Sequence, residues 1–192
     1  MIKPYKISVP KSTLNNIYKK VRAYPWKMMQ NVNGWEYGTN YNYLKKISKY
    51  WVSKYNWKKF ENKINSFKNY KTNVDGINLH FIIEKSKNTK SRPLLLLHGW
   101  PGSVIEFFDI IPRLAHPEQF GGKIEDGFDV IVPSLPGFGF STPIKKALGP
   151  RKIGKILNKF MVKNLGYKKY VVQGGDWGAT IAAWIGLDSA KN

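Results

Sequence analysis

Cysteine is absent from the 192 residues, so thiol usage says nothing of the redox compartment. Long apolar runs are absent too. A bilayer-spanning helix needs about 20 apolar residues. The longest uninterrupted run, Pro93 to Leu97, is far too short for that or for a signal-peptide core. Acids are scarce, 12 against 32 lysines and arginines, for a formal net charge of +20. No nucleic-acid-binding motif accompanies that excess, which argues against a nucleic-acid partner. Histidine occurs only three times, as His80, His98 and His116.

What is present describes a folded chain. A hydrophobic fraction of 42% with 15% aromatic residues excludes disorder. The length suits one domain with a sizeable core, or one domain with a small extension. The positive charge is spread: residues 1–75 carry 16 basic and 3 acidic side chains, residues 76–192 carry 16 and 9. Lysines sit among asparagines and rarely adjoin in more than pairs (Lys45-Lys46, Lys58-Lys59, Lys145-Lys146, Lys168-Lys169). That pattern reads as a solvated surface, with association at an anionic membrane surface as the alternative.

Residues 1–72 read as a helical, aromatic-rich meander. Ser12-Thr13-Leu14 can cap a helix whose apolar positions Leu14, Ile17, Tyr18 and Val21 recur at helical spacing, ended by Pro25. Tyr43, Leu44, Ile47, Trp51 and Val52 form a second stripe, followed by Trp57, Phe60 and Ile64. The loop Gly34-Trp35-Glu36-Tyr37-Gly38-Thr39-Asn40 between them is expected to pack its aromatics into the fold.

Residues 73–192 read as an α/β core. Phe67 to Val74 and Ile77 to Lys85 alternate across Asp75-Gly76, a type I′ turn sequence. Pro93-Leu94-Leu95-Leu96-Leu97 and Phe128-Asp129-Val130-Ile131-Val132 read as strands buried on both faces. A helix is expected over 103–115 and another from about Ile153 to Leu165, stopped by Gly166. Strands alternating with helices predict a mainly parallel α/β sheet, with its chemistry at the carboxyl ends of the strands.

The chemistry is carried by Tyr170 to Thr180: strand, sharp turn, then an alanine-rich helical pattern. Gly174-x-Asp176-x-Gly178 has the spacing of a nucleophile elbow with aspartate in place of serine. The glycines let the backbone turn tightly under residue 176. A carboxylate is ionised at neutral pH without help. Attacking carbon, it leaves a hydrolysable ester, where a serine opening an epoxide would leave an inert ether. An aspartate at a helix start is also a favoured N-cap, and the elbow alone leaves both roles open. His98-Gly99-Trp100-Pro101, some 75 residues earlier, completes the arrangement of an α/β-hydrolase fold. In that fold the oxyanion hole is made by two backbone N–H groups, here those of Trp100 and Trp177. Pro101 is expected to follow a cis peptide. His98 reads as a structural hydrogen-bonding residue, and neither His80 nor His116 is placed as a base.

With these segments together, the chain resembles an epoxide hydrolase of the microsomal and juvenile-hormone type. The resemblance runs through Ile2–Ile7, Gly34–Asn40, Val74–Phe81, His98–Ser103, Pro133-Ser134-Leu135-Pro136-Gly137-Phe138-Gly139-Phe140-Ser141 and Gly174–Gly178. It implies an α/β-hydrolase core that ends soon after the elbow, with residues 1–72 as the meander that wraps it. It implies Asp176 as nucleophile, Trp100 and Trp177 at the oxyanion hole, and His98, Gly99, Pro101, Gly174 and Gly178 as structural residues of the site. The substrate implied is a small lipophilic epoxide, a juvenile hormone or a xenobiotic, with no cofactor and no metal. The location implied is the endoplasmic reticulum membrane, although no anchor lies within this chain. In that family the lid tyrosines, the helper acid and the catalytic histidine follow the elbow, and the sequence stops at Asn192. The expectation is therefore a fragment inactive by itself. A haloalkane dehalogenase-like hydrolase shares the aspartate elbow but lacks the meander, and a non-catalytic binding relic is the remaining alternative.

Overall fold

The structure, a computed structural model, describes residues 1–31 and 34–190. Its contacts divide the chain into two compact units, Met1–Lys6 with Ile64–Asn192, and Ile7–Lys63. The expected boundary after residue 72 falls inside a strand of the first unit, because the hairpin built on Asp75-Gly76 belongs to the sheet.

The helical unit is built on α1 (Lys11–Arg22), α2 (Tyr41–Ser53) and most of α3 (Trp57–Asn65). The predicted stripes fall on α1 and α2, but the predicted cap of α1 does not form. Pro10 is the N-cap residue, and no side chain caps the helix. Ser12 and Thr13 already lie inside its first turn. α2 is capped by Asn40, whose Oδ1 accepts the Tyr43 N–H at 3.0 Å. Glu61 is buried and accepts the Val9 N–H at 2.7 Å and the Trp57 Nε1–H at 3.1 Å while pairing with Lys58. These partners, led by Lys58, hold its carboxyl below the usual range. The loop aromatics do not pack into a core: Trp35 is 59% and Tyr37 87% exposed. Trp35 rests its ring on Tyr43, 5.1 Å between centroids. α1 and α2 bury no residue of their own, so this unit has little interior to receive them.

The α/β unit is one six-stranded sheet in the order β1-β2-β3-β5-β4-β6. The strands are β1 (Lys3–Pro4), β2 (Asn69–Val74), β3 (Ile77–Glu84), β4 (Arg92–Leu97), β5 (Phe128–Pro133) and β6 (Val171–Gly174). β4 runs parallel to both neighbours, β5 and β6, while β1, β2 and β3 extend the sheet antiparallel. The sheet is thus mixed, and its parallel half is the part with loops emerging from strand carboxyl ends. Asp75 and Gly76 both take positive φ, 51° and 83°, as a type I′ turn requires.

Helices cover this sheet. Segment 103–115 is not one helix but two pieces, a 3₁₀ turn Val104–Phe107 and the short α4 (Ile111–Ala115). Pro112 explains the break: it has no N–H to continue the preceding ladder, so it is tolerated only in a first turn. Ser103 and Glu106 form a capping box at the 3₁₀ turn. α5 (Pro150–Lys159) runs on through a π turn, Phe160–Asn164, until Gly166 at φ 79°. α6 (Trp177–Ser189) follows β6 directly. Between sheet and helices lies a core of fully buried Phe81, Leu95, Leu97, Ile131, Ile156 and Phe160. Each such side chain contributes about 1.5–3 kcal/mol over its exposed state, and Phe81 meets Phe160 edge-on at 4.8 Å.

One buried polar cluster is set into this framework. Asn69 donates through Nδ2 to the carbonyls of Ile64 and Phe67, leaving its Oδ1 as acceptor. His80 therefore donates Nε2–H to Asn69 Oδ1 at 3.0 Å, and its Nδ1 accepts from Ser134 Oγ at 2.8 Å. Ser141 Oγ accepts the His80 N–H and donates to the Ser134 carbonyl. Burial, aided by the Lys71 charge, pushes the His80 imidazole down to about 3. His80 is thus neutral in the fold, while the unfolded chain takes up a proton below about 6.5. Stability should be full above that pH and fall as the pH drops toward 3. Denaturant midpoints between pH 7 and 5 should show this slope in the native protein. It should flatten, at lower overall stability, in His80→Gln; an unchanged slope would exclude His80 as its source.

Candidate active site

The site is assembled where β4 and β6 end side by side, with Leu97 paired in register with Gly174. Past Gly174 the chain must reverse at once into α6, and the reversal is made by Asp176 at φ 51°, ψ −123°. Few non-glycine residues adopt such torsions, and they concentrate at functional sites. The turn is possible because its neighbours have no side chains. A Cβ on Gly174 would lie 2.3 Å from the Gly178 carbonyl carbon. One on Gly178 would lie 2.2 Å from the Leu97 oxygen. The Gly175 N–H donates to that same oxygen at 3.3 Å, closing the elbow against β4.

Asp176 stands exposed at the apex. Its side chain makes no cap hydrogen bond to α6, so the helix-cap role does not describe it. Its Oδ1 instead accepts the Trp100 N–H at 2.9 Å. Backbone N–H groups, Trp100 first and then Trp177, hold the carboxyl below its ordinary value of 3.8 against a small opposing effect of burial. These two amides come from opposite sides of the chain, one from the loop after β4 and one from the first turn of α6. The Trp100–Pro101 peptide is cis, as expected. Trp100 and Trp177 are 67% and 48% exposed, and each reaches Asp176 through its backbone.

Gly99 has a role that motif spacing alone does not specify. A Cβ there would sit 2.4 Å from Asp176 Oδ1, so the loop can approach the carboxylate only with glycine at this position. Behind it His98 is fully buried. Its Nε2 accepts the Leu135 N–H at 3.0 Å, which leaves the proton on Nδ1 to be donated to the Gly99 carbonyl at 3.0 Å. Phe138 meets the ring edge-on at 5.4 Å, and burial pushes the imidazole down. With both nitrogens engaged, His98 orients the loop and is not free to accept a proton from water. His116 pairs with Glu84 at 3.0 Å, and His80 belongs to the buried cluster described above. Leu135 was not legible as part of the site, because its contribution is a backbone N–H delivered across the sheet from the loop after β5. No group of three or more acidic or histidine side chains suited to a metal ion occurs among the described residues.

Known proteins show the same organisation. Residues 2–107 match the family model described as "Epoxide hydrolase N terminus", and residues 92–191 match "alpha/beta hydrolase fold". A protein of Stigmatella aurantiaca, provisionally named an epoxide hydrolase, is 44% identical over 94% of this chain and 41% of its own length. Juvenile hormone epoxide hydrolase 1 of Ctenocephalides felis is 38% identical over 94% of this chain and 39% of its own. The crystal structure of juvenile hormone epoxide hydrolase from the silkworm Bombyx mori superposes with a TM-score of 0.85 at 33% identity, covering 100% of this chain and 46% of that one. The chain thus spans about two-fifths of the length of the curated relatives it matches.

The contact at Gly99 gives a direct test. Gly99→Ala must push Asp176 or the loop aside and so loosen the Trp100 N–H contact. The Asp176 carboxyl, followed by NMR titration, should then move up toward its ordinary value while the thermal midpoint moves little. An unchanged titration would mean that the loop yields without disturbing Asp176.

Proposed function

We infer that this chain, which belongs to the epoxide hydrolase family, carries the nucleophile-bearing part of an enzyme that opens a lipophilic epoxide through an aspartyl ester. The observation that supports this most is the placement of Asp176. It is an ionised carboxylate on a strained turn, with one oxygen pinned by the Trp100 N–H and the other side open to solvent.

The chemistry follows from that placement. The oxygen not held by Trp100 attacks an epoxide carbon, the C–O bond of the ring breaks, and its electron pair goes to the departing oxygen, which takes a proton. The pinned Oδ1 becomes the ester carbonyl. When water adds to that carbonyl, charge develops on Oδ1, where the Trp100 amide already points, with the Trp177 amide beside the same carboxyl. Collapse releases the diol and regenerates the carboxylate. The protein thereby supplies the nucleophile and the oxyanion donors. The proton donor for ring opening and the base for water are separate roles, each worth typically 10²–10⁴-fold, and His98 is too fully engaged to fill the second.

The relatives named for juvenile hormone epoxide support a lipophilic substrate of that kind, or a xenobiotic epoxide of similar character. Resemblance to microsomal members supports a site of action at the endoplasmic reticulum membrane. No helix among the described residues is itself long and apolar enough to cross a membrane.

Three outcomes test the assignment. Incubation with a styrene-oxide-like epoxide should add one whole epoxide mass to the protein, mapped to Asp176, and Asp176→Ala should abolish the adduct with the fold intact; labelling that persists elsewhere sinks the reading. Because the carboxyl is held below 3.8, the capture rate should stay flat from neutral pH down to about 5 and fall only below the ordinary aspartate range. The 192-residue chain by itself should be labelled stoichiometrically without steady turnover, and sustained diol formation would show that a base is already in place.

A further inference from the structure

The hydrogen bonds that end on Asp176 begin well away from it. Two peptide groups stand in series between the loop after β5 and the carboxylate. The first joins Ser134 to Leu135. Its carbonyl accepts from Ser141 Oγ at 2.7 Å, and its N–H donates to His98 Nε2 at 3.0 Å. The second joins Gly99 to Trp100. Its carbonyl accepts from His98 Nδ1 at 3.0 Å, and its N–H donates to Asp176 Oδ1 at 2.9 Å. The neutral imidazole of His98 connects the two. At the far end the His80 backbone N–H donates to Ser141 Oγ at 2.9 Å. Every donor along this line points toward Asp176. Ser141, Ser134, Leu135 and His98 are all buried, so the line runs through the low-dielectric interior until it surfaces at Trp100.

We propose that Ser141 is a positioning residue that acts through this line, polarising the Trp100 N–H toward Asp176 and the charge that develops there. Hydrogen bonds in series strengthen one another by about 10–30% per bond, because a carbonyl that accepts makes its own peptide N–H a stronger donor. No proton travels along the line. His98 keeps its proton on Nδ1, and only charge is displaced. The use of such a line shows when the two amides at the carboxyl are compared. The Trp177 N–H belongs to the peptide whose carbonyl, that of Asp176, accepts the Ala179 and Thr180 N–H groups at 3.1 and 3.4 Å. The first turn of α6 therefore stands behind it, with the helix dipole in support. Trp100 lies in a loop with no such helix behind its amide, and the bonds through His98 and Ser141 take that place. The bearing on catalysis rests on the reading of Asp176 as nucleophile; the polarisation of the amide does not.

The test is NMR of the intact, isotope-labelled protein without any epoxide, so failure of the catalytic assignment leaves the result readable. Ser141→Ala removes the donor, and Ser141→Cys keeps its volume with a weaker one. The Leu135 and Trp100 amide protons should move upfield in Ser141→Cys and further in Ser141→Ala. The nitrogen–nitrogen coupling across the Leu135–His98 bond should fall with them, and the Asp176 carboxyl should titrate higher in the same order. The Gly137 and Phe138 N–H groups, bonded to the Ser141 and Leu135 carbonyls at 3.1 and 2.8 Å, report the shape of the loop and should stay in place. His98→Phe severs the line, so adding Ser141→Ala to it should have no further effect on Trp100. Where Ser141→Ala does not fold, Ser141→Cys against the native protein decides. A Trp100 amide or an Asp176 titration that ignores the order overturns the proposal. So does a shift of Gly137 and Phe138 as large as that of Trp100, which would leave Ser141 a residue of loop shape alone. An effect on Trp100 that survives His98→Phe has the same result.

Discussion

The site depends on how closely the elbow backbone presses against the end of β4. Gly178 passes the Leu97 carbonyl within a distance no side chain would tolerate, and the Gly175 N–H bonds that same oxygen. That contact fixes where α6 starts, hence where the Trp177 amide points. It also sets Asp176 opposite Trp100. β4 can serve as the anvil because it is flanked on both sides by parallel partners and its Leu95 and Leu97 are wholly buried. A strand so held has no freedom to recede, and the strain at residue 176 is sustained by packing elsewhere.

Much of this is legible in the residues. The spacing of Gly174, Asp176 and Gly178 identifies the turn. The apolar runs at 93–97 and 128–132 identify the strands, since a short, continuously hydrophobic segment suits a strand covered on both faces. Asp75-Gly76 identifies the hairpin, because only a few dipeptides accept two consecutive positive φ values. The departures have physical causes of equal clarity. Helical periodicity over 103–115 speaks for one helix, whereas in the fold the missing N–H of Pro112 decides. Ser12 has the composition of a cap, but Pro10 begins the helix earlier. Aromatic character alone assigns Trp35 and Tyr37 to a core, yet a unit whose two long helices have no fully buried residue offers little core to enter. The Leu135 N–H and the close approach at Gly99 are three-dimensional facts without a local signature.

The two buried histidines show how environment sets role. His98 and His80 are both buried, neutral and doubly hydrogen-bonded, yet they carry opposite tautomers. The Leu135 amide forces the proton onto Nδ1 of one, and the Asn69 carbonyl oxygen draws it to Nε2 of the other. Each ring ties together segments distant in sequence. His98 joins the loops after β4 and β5, and His80 joins the two sheet halves through Ser134 and Ser141. Imidazole serves here as a rigid two-ended fastener, and the absence of its charge is what permits it to be buried.

The torsions of Asp176 put folding and reactivity in opposition at one residue. Judged by backbone preference alone, glycine would suit that position better than any residue with a side chain. The elbow already places glycine at 174, 175 and 178, so the chain evidently tolerates it throughout the turn. A carboxylate retained at the single position where it strains the backbone, makes no helix cap and meets no cation is therefore hard to account for as architecture. The bare positions around it leave that carboxylate uncovered and within reach of a molecule from solvent.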